Sequence, residues 1–339
     1  MKNQYAKMQT PPKIGITLGD PAGIGPEIIL KAYQKRLPRH ISIVYGDVLL
    51  MDVANALSFP KKIHTIRDVT ASPIESRDGI NLLPVTALRP SSFIVGHPNA
   101  TTGRAAGRYI EKAIHAALHH EIDAVVTCPI QKHAFHKGGY SYPGHTEMFA
   151  TLTDAQRYTM MMLSHPLKVS LVTLHLPLQN VATALTAARI QEVIELTLTA
   201  LKRWFGISTP RIGVLGLNPH AGEEGDLGWE EDRLIRPVIQ SFQKRGDTVE
   251  GPLPPDTAFL KEKLKRYDAY IAMYHDQGLI PFKLMAFHTG VNCTLGLPFP
   301  RLSVDHGTGL DIAGKGIADP SSLRSAIRWA VAFSKGKRM

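Results

Sequence analysis

Three histidines each follow a run with the composition of a buried parallel β-strand: His175 after Lys-Val-Ser-Leu-Val-Thr-Leu, His220 after Arg-Ile-Gly-Val-Leu-Gly-Leu-Asn-Pro, and His275 after Tyr-Asp-Ala-Tyr-Ile-Ala-Met-Tyr. In open α/β sheets, ligands bind beyond the carboxyl ends of the strands. Three imidazoles delivered there can share one divalent ion and leave positions open to substrate, as a catalytic metal site requires. One such histidine alone is more simply a hydrogen-bonded surface group. Repetition at three separate strand ends favours a site.

Polar residues surround these candidates. Asn218-Pro219-His220-Ala221-Gly222-Glu223 and His275-Asp276-Gln277-Gly278 offer carboxylates and amides that can orient the imidazoles. Lys283, Asn292 and Arg301 follow downstream. A lysine and an arginine beside a metal can neutralise a phosphate or carboxylate, the arginine through a bidentate fork. In Pro143-Gly144-His145-Thr146-Glu147 a loop becomes a helix. There His145 and Thr146 either hold an anion at the helix N-terminus or serve as a solvated ring and a capping hydroxyl.

Two glycine-rich stretches stand out. Leu18-Gly19-Asp20-Pro21-Ala22-Gly23-Ile24-Gly25-Pro26-Glu27 lacks the Gly-x-Gly-x-x-Gly spacing of a dinucleotide turn, so its glycines either permit a tight turn or line a site. The stretch from Asp305 to Pro320 lets backbone at His306, Gly307 and Thr308 approach an adenosine or pyrophosphate, with Asp311 as a ribose acceptor; a structural helix entry is the simpler alternative. His115 and His119 have helical metal-pair spacing without the accompanying glutamate, and with His120 they read as a polar helix face. His133 and His136 read as solvated.

The elements that must carry these groups alternate between apolar β-branched runs and longer helical patterns, the sign of βαβ units. Strands are expected at 13–18, 41–45, 124–127, 169–174, 212–217, 269–273 and 291–295. Helices are expected at 26–34, 103–118, 187–204, 230–244, 257–266 and 321–333, with Thr102 and Ser321 as N-caps and Pro26 in a first turn. At 339 residues the α/β chain is long enough for two domains. Irregular stretches at 129–144 and 296–319 suggest the crossovers. The first domain is then 1–130 with 296–339, and the second is 131–295 with the metal ligands and a cleft between the two.

Composition narrows the function classes. The chain is 44% hydrophobic and 20% charged, and no apolar stretch approaches a membrane span. Its start, Met1-Lys2-Asn3-Gln4-Tyr5, lacks the apolar core of a signal peptide. Cys128 and Cys293 have no paired spacing, which suits a reducing cytoplasm. The net charge of +10 is scattered, apart from Lys335-Gly336-Lys337-Arg338, and aromatics do not interleave with it. Anionic metabolites therefore fit better than nucleic acid.

Taken together, the segments from Gly-Asp-Pro-Ala-Gly-Ile-Gly-Pro-Glu at residue 19 to Asp-His-Gly-Thr-Gly-Leu-Asp-Ile-Ala-Gly-Lys-Gly at residue 305 resemble the 4-hydroxythreonine-4-phosphate dehydrogenase family of pyridoxal phosphate biosynthesis. The resemblance implies the two-domain fold of isocitrate and isopropylmalate dehydrogenases, with an interdomain active site. It implies one divalent ion (zinc, magnesium or cobalt) on His175, His220 and His275, shared between subunits of a homodimer. Substrate contacts would come from His145, Thr146, Lys283, Asn292 and Arg301, with Lys283 catalytic. The segment from His306 looks like a nucleotide loop for NAD or NADP, although Asp319 stands where those dehydrogenases carry asparagine. The implied reaction is NAD(P)-linked oxidation of 4-phosphohydroxy-L-threonine to 2-amino-3-oxo-4-phosphooxybutanoate, which decarboxylates to 3-amino-2-oxopropyl phosphate. A sister group acts on 4-phosphothreonate or 4-phosphoerythronate. A three-histidine hydrolase or aldolase is the reading without a dinucleotide.

Overall fold

The computed structural model describes residues 10–70 and 79–336. The opening Met1–Tyr5 and the tail pair Lys337-Arg338 lie outside the described residues. Twelve strands are described: β1 (Lys13–Thr17), β2 (Ile41–Asp47), β3 (Ile63–Thr65), β4 (Ile80–Thr86), β5 (Ala124–Thr127), β6 (Thr159–Leu163), β7 (Lys168–Leu171), β8 (Arg211–Leu215), β9 (Thr248–Leu253), β10 (Ala269–Ala272), β11 (Val291–Leu295) and β12 (Arg301–Val304). They form one sheet in the order β3-β4-β2-β1-β5-β12-β11-β6-β7-β10-β8-β9. Pairing is parallel except where β11 meets β12 and β6, and where β6 meets β7.

Helices cover the sheet, so its central strands are buried on both faces and need no polar alternation. β5 is wholly buried as Ala-Val-Val-Thr, and β6 as Thr-Met-Met-Met-Leu. The helix Ala100–Leu118 packs on β1, β2, β4 and β5, Ala187–Arg203 on β6, β7, β10 and β11, and Ser321–Gly336 on β5, β11 and β12. No helix of the described residues is long and apolar enough to cross a membrane.

Several expected elements change. The helix expected from residue 103 starts at Ala100, capped by Asn99 rather than Thr102. Asn99 Oδ1 accepts from the Thr101 and Thr102 amides at 2.9 and 3.1 Å, while the Thr102 hydroxyl accepts from the Asn99 amide at 3.0 Å. Ser321 is the first residue of its helix, and Asp319 Oδ1 accepts from its amide at 2.9 Å. The helix expected over 257–266 is only Pro255–Ala258. Strands β3, β4, β6, β9 and β12 and the helices Leu49–Ala56, Lys132–Lys137, His145–Leu152 and His275–Ala286 lie outside the expected list. Pro26 does lie in the first turn of Gly25–Gln34.

Candidate active site

Register sets out a polar row across the middle of the sheet. Thr17 of β1 pairs with Thr127 of β5, Thr127 with Ser303 of β12, and Ser303 with Asn292 of β11. Directly paired residues project from the same face. Arg301 pairs with Thr294 one step along, and its side chain is 1% exposed. Its Nη1 donates to Thr294 Oγ1 at 3.1 Å and its Nη2 to Thr127 Oγ1 at 2.7 Å. The guanidinium carbon lies 5.1 Å from the ring centre of Phe149. Nε is buried without a hydrogen-bond partner among the described residues.

No carboxylate pairs with Arg301 among the described residues, and burial pushes its pKa down to about 10, so it stays charged at neutral pH. A buried unpaired charge is expensive. Around it, Thr17 Oγ1, Asn292 Oδ1 and His145 Nε2 are also buried without partners. His145 is held well below the ordinary histidine range by burial, then by the charges of Arg301 and Lys132. It and Thr146 open the helix His145–Leu152 after Gly144. Of the two sequence readings of this turn, a solvated His145 does not match the buried Nε2. A cation, hydroxyls, an amide and a neutral imidazole set together in this way can receive an anion.

The histidines occupy a different setting. Strands β7, β10 and β8 are adjacent and parallel, so their carboxyl ends share one edge. Each histidine lies a few residues past its strand, in the following loop or helix start. His175 and His275 face each other with ring centres 5.5 Å apart. His275 opens the helix His275–Ala286, and its Nδ1 lies 2.7 Å from Asp276 Oδ1, which leaves Nε2 for a ligand. Burial, then His275 and Lys132, lowers the pKa of His175, so neutral, metal-competent imidazole is favoured.

His220 stands in a run of left-handed backbone, with φ of 52° at His220, 55° at Ala221, 83° at Gly222, 42° at Glu223 and 58° at Glu224. Buried Glu231 clasps the approach to this run, accepting from the Leu217 and Asn218 amides at 2.7 and 2.8 Å. No group of three or more His, Cys, Asp or Glu able to hold a metal ion forms among the described residues of one chain. The structure thus brings His175 and His275 together but not His220.

Lys283 reaches from the helix His275–Ala286 to Asp305, just past β12. Its Nζ lies 2.5 Å from Asp305 Oδ2 and 3.1 Å from the Asp305 carbonyl. Burial raises the Asp305 pKa despite this lysine. Lys283, Asp305 and His275 line one cleft of about 690 Å³. Its far wall is apolar: Ile280, Leu284 and Phe287 are 60%, 84% and 67% exposed.

The two glycine-rich stretches form one structure. The Ile24 amide donates to the Thr308 carbonyl at 3.0 Å, and a Cβ on Gly23 would lie only 2.9 Å from that oxygen, so the close approach requires glycine. Glu27 accepts from the Gly316 and Ala318 amides at 3.2 and 2.7 Å. The turn at 19–27 therefore clamps the loop that carries His306, Gly307, Thr308 and Asp311. His306 Nε2 is buried without a partner, open space faces Gly307, and Asp311 is exposed. These residues fit a cofactor that brings polar atoms to the loop. Asp319 instead serves the helix start at Ser321.

The sequence reading missed Lys132, whose charge reaches both His145 and His175, and Asp305, Thr17, Thr127 and Thr294. Their signal was a hydroxyl or charge within or just beyond an otherwise apolar strand. His115, His119, His133 and His136 are exposed, as expected.

The model of the pyridoxal phosphate biosynthetic protein PdxA matches residues 39–330. The chain belongs to the PdxA family. Among its relatives, the 4-hydroxythreonine-4-phosphate dehydrogenase of Desulforapulum autotrophicum is 45% identical over 322 residues, covering 94% of each chain. The D-threonate 4-phosphate dehydrogenase of Cupriavidus necator is 44% identical and covers 94% of this chain and 96% of its own. The crystal structure of the 4-hydroxythreonine-4-phosphate dehydrogenase from Klebsiella pneumoniae superposes with a TM-score of 0.86 at 39% identity, covering 95% of this chain and 99% of that one. The α/β fold of the PdxA family is thus the fold of this chain.

Proposed function

We propose that the chain is a metal-dependent, NAD(P)-linked dehydrogenase that oxidises 4-phosphohydroxy-L-threonine to 2-amino-3-oxo-4-phosphooxybutanoate, which decarboxylates to 3-amino-2-oxopropyl phosphate. The observation that carries this reading is Arg301, a buried guanidinium with no carboxylate partner among the described residues, set among unpaired polar atoms. A phosphorylated acid supplies the missing negative charge. Arg301 with the His145–Thr146 turn holds anionic groups of the substrate, and Asn292 contributes its amide. Lys283, steered by Asp305, brings an ammonium into the cleft that His275 enters. There it donates a proton to the carbon left by carbon dioxide or offsets enolate charge.

A nicotinamide cofactor held by the loop at His306, Gly307, Thr308 and Asp311 would supply the hydride acceptor. A divalent ion on His175, His220 and His275 would supply Lewis acidity. Two facing imidazoles, one oriented by Asp276, suit such an ion. Completion of the set by a second copy of the chain is supported by the lack of a three-ligand group among the described residues of one chain and by the exposed ridge of Ile280, Leu284 and Phe287 beside the cleft. The reading therefore includes a homodimer with shared sites. It also divides the chain into halves, 1–130 with 296–339 and 131–295. The halves hold contiguous blocks of the sheet: β1–β5 with β12, and β6–β11. Two unpaired, buried cysteines suit the cytoplasm.

D-threonate 4-phosphate, with a hydroxyl in place of the amine, is the second reading, supported by the Cupriavidus necator relative. The deciding experiment follows nicotinamide reduction with each substrate and with NAD or NADP, before and after chelation. Metal-replete enzyme that reduces neither nucleotide with either substrate sinks the proposal.

A further inference from the structure

We propose that Thr127 and Thr294 are positioning residues that aim the Arg301 guanidinium at an anionic oxygen group of the substrate. The inference rests on the dehydrogenase reading for the identity of that anion. A guanidinium carries five N–H donors in a rigid fork. Here two of its nitrogens each spend one donor on a threonine hydroxyl, Nη1 on Thr294 and Nη2 on Thr127, while Nε–H has no protein acceptor. Phe149 supports the planar face.

Both acceptors are neutral, and this decides the role. An aspartate at either position would fix the arginine equally well, but it would also satisfy its charge and compete with an incoming anion. A hydroxyl fixes direction and leaves the charge unspent. Each threonine is fully buried and sits in a strand of the rigid central sheet, Thr127 in β5 and Thr294 in β11, on opposite sides of β12. The fork is therefore held from both flanks, by elements distant in sequence and unable to move independently. Thr127 also points its hydroxyl toward the Leu302 carbonyl at 3.5 Å, which directs its lone pairs back at Nη2. Among the described residues, the Arg301 side chain has no other hydrogen-bonded anchor.

The test replaces each hydroxyl by a methyl, Thr127→Val and Thr294→Val, with Thr127→Ser and Thr294→Ser as restored-hydroxyl controls. Loss of one hydrogen bond to a charged group is expected to raise KM for the phosphorylated substrate about tenfold or more, with kcat within about twofold. The serine variants should recover KM to near the wild-type value. Calorimetric titration with 4-phosphohydroxy-L-threonine, without nucleotide, should show the same loss and recovery independently of turnover. Unchanged KM and affinity in both valine variants overturn the inference, as does a serine variant as impaired as its valine counterpart. So does a fall in kcat at constant KM. If a valine variant does not fold, the alanine variant of that position carries the same requirement. Wild-type enzyme that binds the compound but oxidises neither it nor D-threonate 4-phosphate overturns the dehydrogenase reading alone, because the titrations still judge the threonines. Wild-type enzyme that binds neither this compound nor D-threonate 4-phosphate overturns both.

Discussion

The anion receptor around Arg301 and the histidine edge beyond β7, β10 and β8 serve one proposed reaction but are built in opposite ways. The receptor lies in the centre of the sheet, with Arg301, Thr127 and Thr294 buried and fixed by strand register. Its arginine, threonines, asparagine and histidine all come from one chain. The edge is more exposed, its donors sit on loops and helix starts, and among the described residues one chain gathers only His175 and His275. On the proposed reading, charge recognition needs only the folded chain, whereas the chemistry needs a metal ion and a second copy of the chain.

Removing a donor from the edge should have the largest effect. His275→Ala is expected to lower kcat/KM on the order of a thousandfold while leaving the far-ultraviolet circular dichroism and melting temperature nearly unchanged. A variant that keeps full activity without bound metal would end the case for the edge as a metal site. Nearly as large an effect is expected from charging the neighbouring ridge. Leu284→Glu with Phe287→Glu should yield a monomer in sedimentation that has lost both metal and activity. An active monomer would make the edge as self-contained as the receptor.

Arg301→Lys keeps the charge and discards the fork. KM for the phosphorylated substrate should rise roughly 10–100-fold, with a smaller change in kcat. Equal KM values would show that charge alone suffices there.

The smallest effect comes from a histidine remote from both regions. His40 Nδ1 lies 2.7 Å from the Pro38 carbonyl, which can only accept, so Nδ1 carries the proton and Nε2 accepts from the Tyr33 hydroxyl at 2.9 Å. Burial lowers its pKa from 6.5. The unfolded chain therefore takes up this proton first: the stabilisation is complete above about pH 6.5 and is lost as pH falls toward the folded value. His40→Gln should flatten the fall of urea stability between neutral pH and pH 5. An unchanged slope would assign that fall to other groups.

Legibility in the sequence followed the same division. The strands that end near the histidines announce themselves as β-branched apolar runs, so the edge was found from composition. β6 was missed because Met-Met-Met has little intrinsic strand preference and becomes a strand through burial between β11 and β7. β9 contains Gly251-Pro252, a turn signal that an edge strand tolerates. The helix expected to 266 covers only Pro255–Ala258, and Tyr270 Oη shares its one proton between the carbonyls of Ala258 and Lys263 at 3.0 and 2.9 Å, a tertiary contact that periodicity does not encode. The receptor was half legible: Arg301 and Asn292 were singled out, but the threonines that aim the arginine depend on register between distant strands. Lys132 is not legible in the sequence because the histidines its charge reaches, His145 and His175, are distant along the chain.

The left-handed run from His220 to Glu224 bears on which stereoisomers this backbone prefers. For L-residues such winding costs about 1–2 kcal/mol each, and His220, Ala221, Glu223 and Glu224 all adopt it. For their mirror images the same angles are relaxed. A D-alanine introduced at 221 by semisynthesis would be at ease where the natural residue is strained. It would also shield the peptide that carries His220 from proteases, whose clefts read L-configured backbone. In most of a folded protein an inverted centre is a defect; at this bend it is a refinement.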